Sequence, residues 1–169
     1  MTGKEFIQEC LIKDIGEIVR NKQYYHAFAL ISIGIEFLGK CLHTHDIHKD
    51  GFSSQDFKKA LKYYESLKKY QAVPKLYINL RCGLLHAFLP KEGVKLTNIH
   101  NDFPANTIGC KELYDDFVIA CRDAINNTHG YIKRDLNKTQ LVISGPTSGT
   151  PTEMSKSISR SHSHKKRRH

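Results

Sequence analysis

Apolar residues recur at three- and four-residue steps along most of the chain and predict five helices. The first begins at Thr2, because Thr2 and Glu5 have the spacing of a capping box, and its apolar face comprises Phe6, Ile7, Cys10, Leu11, Ile15, Ile18 and Val19. The second runs from about Gln23 to Leu42. Its centre is apolar nearly all round, which is typical of an internal helix packed on several sides.

The boundaries of the later helices are indicated by helix-capping residues and prolines. Ser53 and Asp56 suggest the start of a third helix, with an apolar face of Phe57, Ala60, Leu61, Tyr64 and Leu67 and a lysine-rich opposite face. Pro74 suits the first turn of a fourth helix that ends near Phe88, before Pro90. The segment from Lys91 to Thr107 could hold a short hairpin, and a last helix is expected from about Cys110 to Leu136.

The pattern therefore predicts an all-α, up-and-down bundle of about five helices over residues 1–140, followed by a disordered tail over 141–169. The tail is rich in Ser, His and basic residues and has almost nothing to bury. Residues 144–169 carry a net charge of +5 and the remainder +4, within a formal total of +9. A mildly basic body and a strongly basic tail are compatible with a polyanionic partner.

Other features narrow the class of protein. The longest apolar stretch, Ala27 to Leu38, contains Glu36 and is shorter than the roughly 20 residues that span a bilayer, so no membrane association is expected. The start of the chain does not resemble a signal peptide, and five scattered cysteines without a C-x-x-C pair favour a reducing, cytoplasmic location. His43, His45 and His48 have no accompanying ligand framework, so we expect no metal site, and no nucleotide-binding loop or other cofactor motif is present.

The fourth helix has two apolar faces. At about 100° per residue, Leu76, Gly83, Leu84 and Ala87 lie within about 60° of Leu80 and suit the domain core. A second stripe of Ile78, Cys82 and Leu85 lies behind, flanked by Arg81 on one edge and His86 on the other. A monomer could bury the whole helix; alternatively, in a twofold dimer the second stripe would meet its own copy and gather two Arg and two His at the seam. The spacing leaves both arrangements open.

Such a seam has the groups that metal-free RNA cleavage requires. The ribose 2′-OH attacks the adjacent phosphate, His86 can transfer the proton, and Arg81 can form paired hydrogen bonds to the phosphate oxygens. The simpler interpretation makes Arg81 a partly exposed charge and His86 a polar residue near a helix end.

The helix order, the internal second helix and the sequence Leu80-Arg-Cys-Gly-Leu-Leu-His86 together resemble the HEPN superfamily, over about residues 4–138. Its members are small helical domains, many of them ribonucleases of toxin–antitoxin, abortive-infection and CRISPR-associated systems. Its R-x(4–6)-H motif falls on Arg81 and His86. The resemblance implies a homodimer with a composite site, RNA cleavage without a metal, and a neutralising antitoxin or other regulatory protein as partner. The residue after the family's Arg is commonly polar and helps to arrange the catalytic groups; here it is Cys82, which departs from the pattern.

Two further sets of residues have candidate supporting roles. Glu36 should be costly inside an apolar helix unless it is paired, either locally with Lys40 or with Arg81, whose guanidinium it would then orient. Lys58, Lys62, Lys69 and Lys75 could form a track for the RNA backbone, although a solvated face is the usual meaning of such a run.

Three functions follow from these features. The first is a dimeric ribonuclease, a toxin or defence effector, with Arg81 and His86 as its catalytic pair. The second is a non-catalytic HEPN domain that mediates dimerisation or RNA binding. The third is a helical adaptor whose basic tail contacts an acidic protein.

Overall fold

The computed structural model describes residues 1–44, 47, 51–87, 89–91, 93–98, 106–139 and 141. Helices dominate this part of the chain, which confirms the all-α class. The predicted tail over 141–169 lies outside the described residues, apart from Leu141, whose N–H donates to the Met1 carbonyl at 2.9 Å. No helix among the described residues is both long enough and apolar enough to cross a membrane.

Helix α1 consists of three consecutive stretches, Gly3–Phe6, Ile7–Asp14 and Ile15–Arg20, and the middle stretch has the wider π-type hydrogen bonding. The predicted capping box is confirmed. The Thr2 N–H donates to Glu5 Oε2 at 2.7 Å, and the Glu5 N–H donates to Thr2 Oγ1 at 3.2 Å. The helix ends before Lys22, which has a φ of 59°.

Helix α2, Tyr24–Cys41, is the central element, as its apolar centre predicted. It packs against the other four helices, and two of its glycines permit the closest approaches. A Cβ on Gly34 would lie 2.3 Å from the Phe117 ring, and one on Gly39 would lie 1.8 Å from the backbone carbonyl oxygen of Asp56. Helix α2 is not buried on every side, however, since Leu30 and Ile33 are exposed.

Helix α3, Ser53–Tyr63, begins where expected but not for the expected reason. Asp56 does not cap the helix; it is fully buried, and its Oδ1 lies 3.3 Å from Nε2 of His43. After α3 the chain forms a 3-10 helix, Glu65–Ala72.

Asp116, which lies on a later helix, anchors the 3-10 helix. The Tyr70 hydroxyl donates to Asp116 Oδ2 at 2.7 Å, and the Ser66 hydroxyl donates to the Asp116 carbonyl at 2.7 Å. Lys69 Nζ also lies 2.8 Å from Asp116 Oδ2 and contacts Glu112. These contacts fasten the chain before it enters the fourth helix.

Helix α4 comprises Tyr77–Cys82, with π-type hydrogen bonds, and Gly83–Ala87. It begins three residues later than predicted, because Lys75 adopts a left-handed φ of 52° that interrupts a helix starting at Pro74. The Pro74 carbonyl instead accepts a hydrogen bond from the Asn79 side chain at 3.2 Å.

The predicted hairpin is wrong. Strands β1, Lys95–Thr97, and β2, Thr107–Gly109, are present, but they pair in parallel, with Leu96 opposite Ile108. Parallel strands cannot be joined by the tight turn of a hairpin.

Helix α5, Cys110–Asn126, is shorter than predicted. Asn127 adopts a left-handed φ of 49°, and its side-chain oxygen accepts a hydrogen bond from the Ile132 N–H at 2.9 Å, which stabilises a turn in place of further helix. Leu136 is nevertheless buried, because the chain returns and packs it against Gly3.

Candidate functional site

The core-facing stripe of α4 is largely as predicted. Leu76, Leu80, Gly83 and Leu84 are buried. Ala87 is exposed, in contrast to the prediction, because the helix ends there. Residues 89–91 fold back over earlier parts of α4, and the Lys91 N–H donates to the Asn79 carbonyl at 2.9 Å. Sequence reasoning missed the burial of Asn79, since the π-type stretch rotates less per residue than the assumed α-helix.

The second stripe of α4 faces outward in the subunit. Ile78 is 46% exposed, and Cys82 and Leu85 are half-buried. The arrangement in which one subunit buries the whole helix is therefore not the one found. An apolar stripe that keeps this much contact with solvent is available to a partner.

Arg81 and Glu36 form an ion pair between α4 and α2. Arg81 Nε donates to Glu36 Oε2 at 2.8 Å, and the two side chains are only 18% and 8% exposed. Lys40 is a second and more distant partner, with Nζ 3.8 Å from Glu36 Oε1. Both pairings considered for Glu36 therefore occur, and the hydrogen-bonded one is with Arg81. Because it uses Nε, the two terminal nitrogens of the guanidinium are not consumed by it.

Tyr77 is a further member of the site that sequence reasoning missed. Its ring centroid lies 5.7 Å from Cζ of Arg81, at a distance typical of a cation–π contact, and 5.5 Å from the ring of Phe57. Burial, and then a hydrogen bond with the Cys82 side chain, raise the pKa of Tyr77. The only signal in the sequence was an aromatic residue four positions before Arg81.

His86 is exposed in the last turn of α4. Its imidazole makes no hydrogen bond or ion pair with the residues that the structure describes. One subunit therefore holds Arg81 firmly and leaves His86 accessible.

Three of the four candidate lysines share a groove between α3 and the start of α4. The groove has a volume of about 430 Å³; Lys58, Lys62 and Lys75 line it together with Phe57, Leu61, Leu76, Tyr77 and Ile78. Lys69 is not among its lining residues, because it pairs with Glu112 and Asp116 on α5. Ile78 thus belongs both to the groove and to the outward stripe of α4.

The cysteines and the first histidine of the histidine-rich segment are possible metal ligands in the part of the chain that the structure describes. Among the described residues, no three His, Cys, Asp or Glu side chains are placed to hold a metal ion, and the five cysteines form no disulfide. Burial raises the pKa of Cys41 to about 12. His43 lies against Asp56, whereas His45 and His48 lie outside the described residues.

Comparisons with known proteins add no relative: no protein-family model, no curated protein and no solved structure matches the chain.

Proposed function

We propose that this protein is a HEPN-type, metal-independent endoribonuclease that acts as a homodimer, with Arg81 and His86 as its catalytic pair. The observation that carries the proposal is the Glu36–Arg81 ion pair beside an outward-facing apolar stripe on the same helix. A guanidinium held by a buried carboxylate, next to a surface suited to a second copy, is what a composite Arg/His site requires.

The proposed reaction is an internal transfer at phosphorus. The ribose 2′-OH attacks the phosphate as a His86 imidazole takes its proton, and the bond to the 5′-oxygen breaks as that oxygen receives a proton from a protonated His86 of the second copy. The products are a 2′,3′-cyclic phosphate and a free 5′-OH. DNA lacks the internal nucleophile and would not react.

Arg81 stabilises the charge that develops on the phosphate oxygens. Glu36 holds Nε at 2.8 Å, and the Tyr77 ring lies alongside, so the guanidinium is oriented before substrate arrives. Its terminal nitrogens can then donate two hydrogen bonds to the phosphate.

The dimer forms when the stripe of Ile78, Cys82 and Leu85 packs against its own copy. A twofold axis places the same patch on both sides of the seam, so each His86 is delivered near the partner's helix α4. RNA would approach along the groove lined by Lys58, Lys62 and Lys75, which opens beside the stripe at Ile78.

Cleavage in the presence of EDTA tests the chemistry. Wild-type protein should cut unstructured RNA and leave 2′,3′-cyclic phosphate ends, whereas Arg81→Ala and His86→Ala should each lower the rate at least about 100-fold. Arg122→Ala and His26→Ala alter exposed residues of the same types on other helices and should cleave normally. Growth arrest on expression, relieved by His86→Ala, would support the toxin role. Absence of cleavage by the wild type, or equal cleavage by the His86→Ala variant, would contradict the proposal.

A matched pair of surface substitutions tests the dimer. Ile78 and Ile119 are 46% and 48% exposed, but only Ile78 lies on the proposed seam. Ile78→Glu should therefore convert the dimer to a monomer in sedimentation analysis and abolish cleavage, while Ile119→Glu should leave both unchanged. A wild-type protein that sediments as a monomer, or cleavage by a monomeric Ile78→Glu variant, would refute the composite site.

One observation favours a second function, a non-catalytic HEPN module that binds RNA. Cys82 occupies the position that is commonly polar in the family, and its side chain is engaged with Tyr77. In that case the Glu36–Arg81 pair would hold α2 and α4 together without acting in catalysis. Salt-sensitive RNA binding without cleavage identifies this function.

A further inference from the structure

A cluster of aromatic rings lies on the surface where the chain after α5 crosses α3. The ring centroids of Tyr63 and Tyr131 are 5.1 Å apart with an angle of 80° between planes, and His129 stacks on Tyr131 at 5.5 Å and 29°. Tyr131 is 42% exposed, and His129 is also exposed. Large aromatic side chains with exposed faces are the usual means of stacking an unpaired base.

Cations surround the same rings. Nζ of Lys59 and Nζ of Lys62 lie 5.8 and 6.0 Å from the Tyr63 ring centroid. Lys62 also lines the groove described above, so the two surfaces are continuous. Lys133 follows Tyr131 closely in the chain, is exposed, and is fixed by a hydrogen bond from its backbone N–H to the Cys41 carbonyl at 3.3 Å.

These ammonium groups are close enough to influence each other. Burial lowers the pKa of Lys59, and the charge of Lys133 lowers it further, although buried Asp56 acts in the opposite direction. The Lys59 ammonium also donates to the Leu42 carbonyl at 3.0 Å, which fixes its position. An anion placed between Lys59 and Lys133 would relieve their repulsion.

We propose that Tyr63, His129 and Tyr131, with Lys59, Lys62 and Lys133, form an aromatic platform that binds one unstacked base of single-stranded RNA and its flanking phosphates. The platform continues the lysine-lined groove through Lys62, and this inference rests on the proposed function because it names the form of RNA that the enzyme takes. Duplex RNA is excluded from the platform because its base faces are covered by their neighbours. An acidic peptide would match the charge but leave the exposed faces of the stacked rings unused.

Binding of an uncleavable RNA tests the platform separately from catalysis. The probe is a fluorescein-labelled, 2′-O-methyl oligonucleotide of about 12 nucleotides, which lacks the reactive 2′-OH and is followed by fluorescence anisotropy. Tyr131→Ala should raise Kd about 5- to 100-fold, and His129→Ala should also weaken binding. Tyr131→Phe retains the ring and should bind within about 2-fold of wild type. Tyr25→Ala removes a tyrosine of comparable exposure, 37%, outside the cluster and should have no effect.

Three comparisons complete the design. A 2-aminopurine base in the oligonucleotide should lose fluorescence on binding to wild type but not to Tyr131→Ala. Lys133→Ala should reduce the slope of log Kd against log salt by about one unit. Circular dichroism establishes that each variant is folded; if Tyr131→Ala is not, the exposed His129→Ala decides the result.

Several outcomes would overturn the inference. The first is that the wild type does not bind the single strand, and the second is that folded Tyr131→Ala binds it with the same affinity as the wild type. The third is that Tyr131→Ala loses as much affinity for duplex RNA as for the single strand. The fourth is that polyglutamate competes for binding as effectively as RNA does. The proposed function fails independently, when this oligonucleotide binds through Tyr131 but unmodified RNA is not cleaved. Conversely, if cleavage requires His86 but RNA binding does not depend on Tyr131, only the aromatic platform is refuted and the proposed function stands.

Discussion

The ion pair between Glu36 and Arg81 should be worth measurable stability, independently of any catalytic role. The Nε–Oε2 distance is 2.8 Å, and both side chains are mostly buried. Opposite charges about 4 Å apart attract by about 4 kcal/mol at the effective dielectric of a partly buried site. The residual exposure of both side chains to solvent, and the charge of Lys40 at 3.8 Å from Glu36, which compensates in part when Arg81 is removed, reduce the coupling to about 2 kcal/mol.

A double-mutant cycle measures this coupling. Arg81→Ala should lower the free energy of unfolding by about 3 kcal/mol, since it leaves the Glu36 carboxylate with Lys40 alone and removes the contact with the Tyr77 ring. Glu36→Ala should lower the free energy of unfolding by about the same amount. The loss in the double variant should be about 2 kcal/mol smaller than the sum of the losses in the two single variants. Urea denaturation followed by circular dichroism, at one protein concentration and neutral pH, gives all four values.

The exposed pair of Glu17 and Arg20 is the matched control. It has the same residue types, with side chains 58% and 61% exposed, so solvent screens the attraction; its coupling energy should be too small to resolve and should vanish in high salt. The coupling of Glu36 and Arg81 should persist there. Equal couplings for the two pairs, or loss of the buried one in high salt, would refute the view that Arg81 is held by a desolvated partner.

Three further predictions follow from other contacts. A short bismaleimide should cross-link wild-type protein into a covalent dimer, and this should be lost in Cys82→Ser but kept in Cys10→Ser, because only Cys82 lies on the proposed seam. Gly39→Ala should lower the free energy of unfolding by about 3 kcal/mol in urea denaturation, because the added Cβ would lie 1.8 Å from the Asp56 carbonyl oxygen and push α3 away. Thr2→Ala should cost about 1 kcal/mol in the same assay, because it removes the capping hydrogen bond to Glu5.

Controls make these outcomes decisive. Dimer cross-linking in the Cys82→Ser variant would place the seam elsewhere. Gly51→Ala, with nothing within 4 Å of its Cβ, should cost only the roughly 1 kcal/mol of a left-handed backbone, and an equal loss at Gly39 would contradict the steric argument. A Thr2→Ser variant keeps the hydroxyl and should retain most of the stability that Thr2→Ala loses.

Apolar periodicity could predict the helices because it reports which side of a helix is buried. It located α2 as the central helix and the core stripe of α4. It could not detect the π-type stretch of α4, whose smaller rotation buries Asn79, or the left-handed Lys75 that delays the helix. Both depend on backbone conformations that side-chain polarity does not report.

Contacts between side chains far apart in the sequence were predictable only where a charged residue lay in an apolar helix and therefore needed an oppositely charged partner. Glu36 in an apolar helix raised the question of what neutralises it, and Arg81, 45 residues later in the chain, was one of two answers. Nothing comparable indicated that Lys69 would pair with α5, since an exposed lysine has no need of a partner. The parallel pairing of β1 and β2 was equally hidden, because three-residue strands leave their direction unspecified.

The anchoring of the 3-10 helix by Asp116 has a consequence for ligand binding. Tyr70 both lines the groove and donates to Asp116, so the wall of the groove is tied to α5 by bonds that exist without any ligand. A molecule that enters would not have to order this wall, so little conformational entropy would be lost and association would be fast. Selectivity among ligands would then depend on how well each one fits the preorganised groove, since this wall does not change shape to suit the ligand.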